Sequence, residues 1–368
     1  MNRMTKWRFI CLVVGVSFVL LPCLFTVHAQ STPAGQTPST LPDVISRVTR
    51  VKGLRLVSTS SLLPPTDTEC RIDTGVPCYS PQEIQNAYGL TPLLNAGYTG
   101  AGQTIIIIDS FGSPTIANDL STFDAGYGLP APPSFTVLAP LGTASFDPSD
   151  SDQVGWASET TLDVEWAHAL APGAGIVLLT SPVSETEGVQ GLPEFLQLEQ
   201  YALDHHLGKI ISQSWGATEN TLFDPAGQQV MADFERFYLR AALENVTILA
   251  STGDSGSANI DISGNYYPFP TVEFPASSPL VTAVGGTSEG APQWAGIIAD
   301  GNQLAGHPLG FLNLRLYLLR GMGFHDVTTG NNSFHGVPGY NATPGWDLAT
   351  GWGTPNLSRL LWVLARQQ

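Results

Sequence analysis

The chain has 368 residues, with 31 Asp and Glu against 15 Lys and Arg, for a formal charge of -16. That balance excludes a basic nucleic-acid-binding surface as its main business. With 43% hydrophobic and only 12% charged residues, and with 38 Gly and 28 Pro, it is too apolar for global disorder and reads as a large, loop-rich globule. So low a charge density suits an acidic extracellular medium.

The chain opens with Arg3, Lys6 and Arg8, followed by an uncharged apolar run from Phe9 to Val27 and the small-residue pattern Val27-His28-Ala29. This reads as a secretory signal at 1–29 cleaved after Ala29, with an uncleaved membrane anchor as the competing reading. A lipoprotein anchor at Cys23 is disfavoured by Pro22 before it. No second long apolar run follows, so no membrane contact is expected after signal removal, and the mature part is expected to be a secreted monomer. Residues 30–78 read as a tether and short N-terminal segment. Of four cysteines, 11 and 23 leave with the signal, and Cys70 with Cys78 remains as an expected disulfide.

From Tyr79 the pattern becomes regular. Ser80-Pro81-Gln82-Glu83 announces a helix through Tyr88, with Ser as cap and Pro at the first position. The β-branched run 104–109 (TIIIID) is of the kind buried on both faces of a parallel sheet. A helix over 159–170, a strand over 175–179, a helix over 192–205 and a strand over 209–212 follow. The cycle repeats with a helix over 231–243 and a strand over 246–250. Alternation of this kind predicts an α/β fold with a doubly wound, mostly parallel sheet, in a domain spanning 79–368. Function in such a sheet gathers outside the carboxyl ends of the strands. Those ends are Asp109-Ser110, Ser212 to Gly216, and Ser251 to Gly256.

Glu159 and Asp163 stand at i and i+4, where two carboxylates share one helix face and repel if both ionise. One of them is expected to keep a proton, as in shared-proton carboxylate pairs, although an isolated pair of this spacing is more often a solvated acidic face. Gly285-Gly286-Thr287-Ser288 leads into a helical run at 293–299, so Ser288 is expected at a helix start. There it is either an ordinary cap or a nucleophile awaiting a base.

These segments together resemble the sedolisins, or serine-carboxyl peptidases. The resemblance rests on Glu159-x-x-x-Asp163 before Trp166-Ala167-His168, on Ser212-Gln213-Ser214-Trp215-Gly216, and on Gly253-Asp254-Ser255-Gly256. It continues through Phe274 to Pro279, Gly286-Thr287-Ser288, Asp326 to Gly330, and Pro344-Gly345-Trp346-Asp347 through Gly353. It implies a subtilisin-like fold, with Ser288 as nucleophile, Glu159 as general base, Asp163 tuning that base and Asp254 serving the oxyanion in its protonated, donating form. The implied activity is hydrolysis of polypeptide substrates by an acid-acting serine-type endopeptidase. The resemblance also implies a Ca²⁺ site at Asp326, Val327, Thr343, Gly345 and Asp347, with Thr343 where the family often has Gly. Oxygen donors of this kind suit Ca²⁺.

Two departures stand out. The strand-and-turn Leu280 to Thr287 is fused directly to the nucleophile segment, so the chain reads as internally shortened near 285–288. Only about 50 residues separate the signal from Tyr79, where the family commonly has a large propeptide. The shortening raises an alternative, a catalytically inactive, truncated sedolisin-like domain that binds calcium. A true subtilisin using Asp109 and His168 is a third reading, weakened by the absence of the sequence around a subtilisin histidine.

Overall fold

The computed structural model describes residues 64–367, so the signal, the tether up to residue 63 and cysteines 11 and 23 lie outside the described residues. Helix α1 (Asp67–Thr74) opens with a capping box from Thr66 and Glu69, and Cys70 is disulfide-bonded to Cys78, as the sequence led us to expect. Helix α2 (Pro81–Ala87) has a second capping box, made by Ser80 and Glu83.

Strand β1 (Thr104–Ser110) contains four consecutive isoleucines with no exposed surface, each stabilising the fold by about 2 kcal/mol. Successive side chains alternate faces, so Ile105 and Ile107 enter one core and Ile106 and Ile108 the other. Helix α3 (Ile116–Tyr127) and strand β2 (Phe135–Leu138) precede the long helix α4 (Ser151–Leu170). Strand β3 (Gly175–Ser181), helix α5 (Leu192–Asp204), strand β4 (Ile210–Gln213), helix α6 (Pro225–Leu243) and strand β5 (Thr247–Ser251) continue the alternation. Strand β6 (Thr282–Val284) then leads into helix α7 (Gly290–Ala305), and α8 (Leu357–Arg366) ends the described chain.

The six strands form one sheet in the order β2-β3-β1-β4-β5-β6, and every pairing is parallel. Helices α4, α7 and α8 supply the core on one face through Val164, Ala167, Ile298 and Leu360. Helices α5 and α6 supply the other through Phe195, Leu198, Phe234 and Phe237. The doubly wound, subtilisin-like α/β architecture expected from the sequence is therefore present.

The link from β6 to α7 is five residues, 285–289. Gly286 has φ +108, a conformation that L side chains rarely adopt. Helix α7 then packs directly on α4. A Cβ at Gly296 would fall 2.7 Å from Leu170 Cβ and 2.9 Å from the Ala167 carbonyl, so the missing side chain is what allows this approach. The expected cap at Ser288 is corrected here. Helix α7 begins at Gly290 with Glu289 in the cap position and no side-chain cap bond, which leaves Ser288 two residues outside the helix.

Candidate active site

Helix α4 starts at Asp150, whose side chain accepts from the Asp152 amide, and its length carries Glu159 and Asp163 along the carboxyl ends of the strands. Asp163 is fully buried and Glu159 half-buried. From β1, Asp109 reaches the same place and is also fully buried. The sequence offered Asp109 as a strand-end residue and in the subtilisin reading; the structure makes it a third carboxyl of one cluster.

Burial raises all three, because the charged form loses its hydration. Asp109 goes from its usual 3.8 to about 7, with the Thr160 hydroxyl acting the other way. Glu159 goes from 4.5 to about 8 by burial, held back by the Ser288 hydroxyl as a hydrogen-bonding partner and pushed further by the charges of Asp109 and Asp254. Asp163 is held well above the usual carboxylate range by burial, then by Asp109 and Glu159, against a lowering contact from Ser214. Oε1 of Glu159 and Oδ2 of Asp163 have no hydrogen-bond partner among the described residues, which is tolerable for neutral acids and costly for anions.

Ser288 is half-buried on the link before α7. Its Oγ donates a long hydrogen bond to the Ser214 carbonyl at 3.5 Å. The Ser214 hydroxyl, on the turn after β4, lies 2.9 Å from Asp163 Oδ1 and 2.9 Å from the Ser288 carbonyl oxygen. Asp254 sits on the turn after β5, exposed, and that turn is clasped to the link before α7. The Thr252 amide donates to the Val284 carbonyl at 3.0 Å, and the Gly286 amide donates to Thr252 Oγ1 at 3.2 Å. Four residues named from the sequence thus occupy one end of the sheet.

His168 does not join them. It lies five residues beyond Asp163, about 140° around the helix, and its Nε2 is 3.1 Å from Asp124 Oδ1 and 2.8 Å from the Pro130 carbonyl. The subtilisin pairing of Asp109 with His168 is excluded by this geometry.

The residues expected to hold calcium lie on a separate surface loop. The Gly345 amide donates to Asp326 Oδ2 at 2.8 Å, and the Thr343 amide donates to Asp347 Oδ2 at 2.8 Å, so both aspartates converge on the turn 343–347. Asp347 Oδ1 also accepts from the amides of Ala349 and Thr350 at 2.9 Å each. These bonds hold the Asp347 carboxyl below its usual range, with the Thr343 amide the largest cause. Among the described residues no three His, Cys, Asp or Glu side chains gather as a metal cluster. The Asp326 and Asp347 carboxylates that meet at this turn are hard oxygen donors, the kind Ca²⁺ takes.

No family model matches the chain. Kumamolisin of Bacillus sp. (strain MN-32) is 29% identical over 351 residues, covering 72% of this chain and 59% of kumamolisin. That alignment is longer than the part of this chain it occupies, so it opens gaps here. Tripeptidyl-peptidase 1 of Homo sapiens is 33% identical over 132 residues, 35% of this chain and 22% of that protein. Tripeptidyl-peptidase sed4 of Aspergillus fumigatus is 31% identical over 196 residues, 48% of this chain and 31% of that protein. The chain thus spans well under two thirds of the length of these relatives. Among solved structures, Pseudomonas sedolisin, a serine-carboxyl proteinase complexed with two molecules of pseudo-iodotyrostatin, superposes with a TM-score of 0.63 at 23% identity. It covers 77% of this chain and 97% of that one, a likeness of fold.

Proposed function

We propose that this chain is a sedolisin, or serine-carboxyl peptidase, a reading its similarity to kumamolisin and tripeptidyl-peptidase 1 supports, and an exported endopeptidase that cleaves polypeptides through an acyl-enzyme on Ser288. The reading is supported by the carboxyls of Asp109, Glu159 and Asp163 gathered at the strand ends and by the Ser214 hydroxyl, which lies 2.9 Å from both Asp163 Oδ1 and the Ser288 carbonyl oxygen. Ser288 Oγ attacks the scissile carbonyl carbon while Glu159 takes its proton, and the carbonyl oxygen becomes an oxyanion. Asp254, in its acid form, donates to that oxyanion; an ionised carboxylate has no proton to give. As the intermediate collapses, Glu159 returns its proton to the leaving amine, and water then repeats the sequence to release the acyl group.

Glu159 must lose a proton to act as base, and burial makes that harder, so the rising limb of the rate profile is set by the carboxyl cluster. Asp326, Asp347 and the carbonyls of Val327, Thr343 and Gly345 would hold Ca²⁺, which supplies charge to cross-link the 326–347 loop and takes no part in the bond-breaking step. Export is supported by the pattern at 1–29.

The test is cleavage of a denatured protein substrate from pH 3 to 8 by folded chain and by Ser288→Ala. Activity abolished by the substitution is expected. Folded protein with no activity across that range would instead support the inactive calcium-binding alternative.

A further inference from the structure

Ser214 lies in a segment that the proposed chemistry does not use, yet its hydroxyl joins α4 to the nucleophile link. It is 2.9 Å from Asp163 Oδ1 and 2.9 Å from the Ser288 carbonyl oxygen, and the Ser288 hydroxyl reaches back to the Ser214 carbonyl. A serine hydroxyl carries one proton, and a backbone carbonyl can only accept. Two oxygen–oxygen contacts of this length need two protons, and Asp163 is the only one of the three groups that can provide the second.

We propose that Ser214 is a positioning residue that accepts a hydrogen bond from protonated Asp163 and donates its own to the Ser288 carbonyl, pinning the nucleophile link to α4 only while Asp163 is neutral. The arrangement also divides labour in the carboxyl pair. The acid whose proton is committed to Ser214 stays neutral, and Glu159 is left as the one free to ionise. The placement of Ser288 as nucleophile comes from the function proposed above, but the proton relay does not depend on turnover.

The titratable groups acting on Asp163 are Glu159 on its own helix and Asp109 from β1. Asp254 acts on Glu159. On α3, Asp119 and Asp124 act on Glu165, and Asp124 also on His168. At the start of α7 the Glu289 carboxyl is held by Gln293, and Asp300, further along, is buried with neither oxygen partnered. Asp109 and Glu159 are both acids, so losing the Asp163 proton adds a like charge and reverses the Ser214 hydroxyl toward the carboxylate, leaving the Ser288 carbonyl without its donor.

Hydrogen exchange read by mass spectrometry on peptides covering 285–292 of the full chain, from pH 4 to 8 and corrected for intrinsic exchange, tests this. The native chain is expected to lose about tenfold in protection as pH rises, the scale of one charge-linked hydrogen bond. Ser214→Ala is expected to show that low protection at every pH, and Ser214→Thr to restore the native profile. Asp163→Asn, whose amide always donates, is expected to stay protected throughout, which a merely structural role for Ser214 would not produce. A flat native profile, or Ser214→Ala protected like the native chain, overturns the proposal. Absence of proteolysis alongside the expected exchange pattern overturns only the peptidase reading.

Discussion

At the strand ends Asp109, Glu159 and Asp163 are buried together and raised, with an oxygen each of Glu159 and Asp163 unpartnered among the described residues. On the surface loop Asp347 is covered by its own turn, accepts three backbone amides and is lowered. Both are acidic sites in an acidic protein, and the difference lies in what surrounds the oxygens. Hydrophobic packing and neighbouring carboxylates favour a proton at the first, which suits proton transfer; peptide N–H groups favour an anion at the second, which suits a cation.

The largest expected effect separates the two regions outright. Glu159→Gln should lower kcat/KM by about 1000-fold or more, in keeping with loss of a general base, whereas Asp347→Asn should leave the rate constant of the folded enzyme within about threefold. Steady-state kinetics on both variants checks this.

Asp109→Asn sharpens the account of the buried cluster. Removing that charge relieves Glu159 and Asp163, so the rising limb of the rate profile should move to lower pH by about one unit. An unmoved limb would mean that Asp109 is electrically silent there.

Stability should respond with opposite signs. Where folding raises a carboxyl, the native state binds more protons than the unfolded chain between the two pKa values, so stability falls as pH rises. For Glu159 that window runs from 4.5 to about 8, and for Asp109 from 3.8 to about 7. The thermal midpoint should drop by several degrees between pH 4 and pH 8. Asp347 works the other way: its contribution is present above its usual 3.8 and is lost as pH falls through its lower native value. Calorimetry of native, Asp109→Asn and Asp347→Asn chains separates the two. The smallest effect belongs to the ion: Ca²⁺ should raise the midpoint by a few degrees in the native chain and less in Asp347→Asn.

Part of this was legible in the residues themselves. The isoleucine run of β1 declares its role by local pattern, whereas the roles of Glu159, Asp163 and Ser288 came from the resemblance, because an i, i+4 carboxylate pair or a serine after glycines has ordinary structural uses. What was not legible depends on packing between distant segments. Helix α4 begins eight residues earlier than its apolar pattern suggests, because Asp150 caps it and Trp156 is buried in the second core. Asp109 joins the cluster because β1 ends beside α4, and the polar residue closing a buried run was the available signal. Ser214 had the same signal, but its two contacts are made by α4 and by a link that arrives 74 residues later. The close packing of α7 on α4 depends on Gly296, whose missing side chain acts only through the helix it touches.

The central claim is that the hydroxyl of residue 288 is made nucleophilic by residue 159, and direct capture of the acylated intermediate tests it. A slowly deacylating peptide ester, acid-quenched and analysed by intact mass and peptide mapping, should place one acyl group on Ser288 in the native chain and none in Glu159→Gln. Native, folded protein that stays unacylated, or is acylated equally well without the Glu159 carboxylate, would contradict the account.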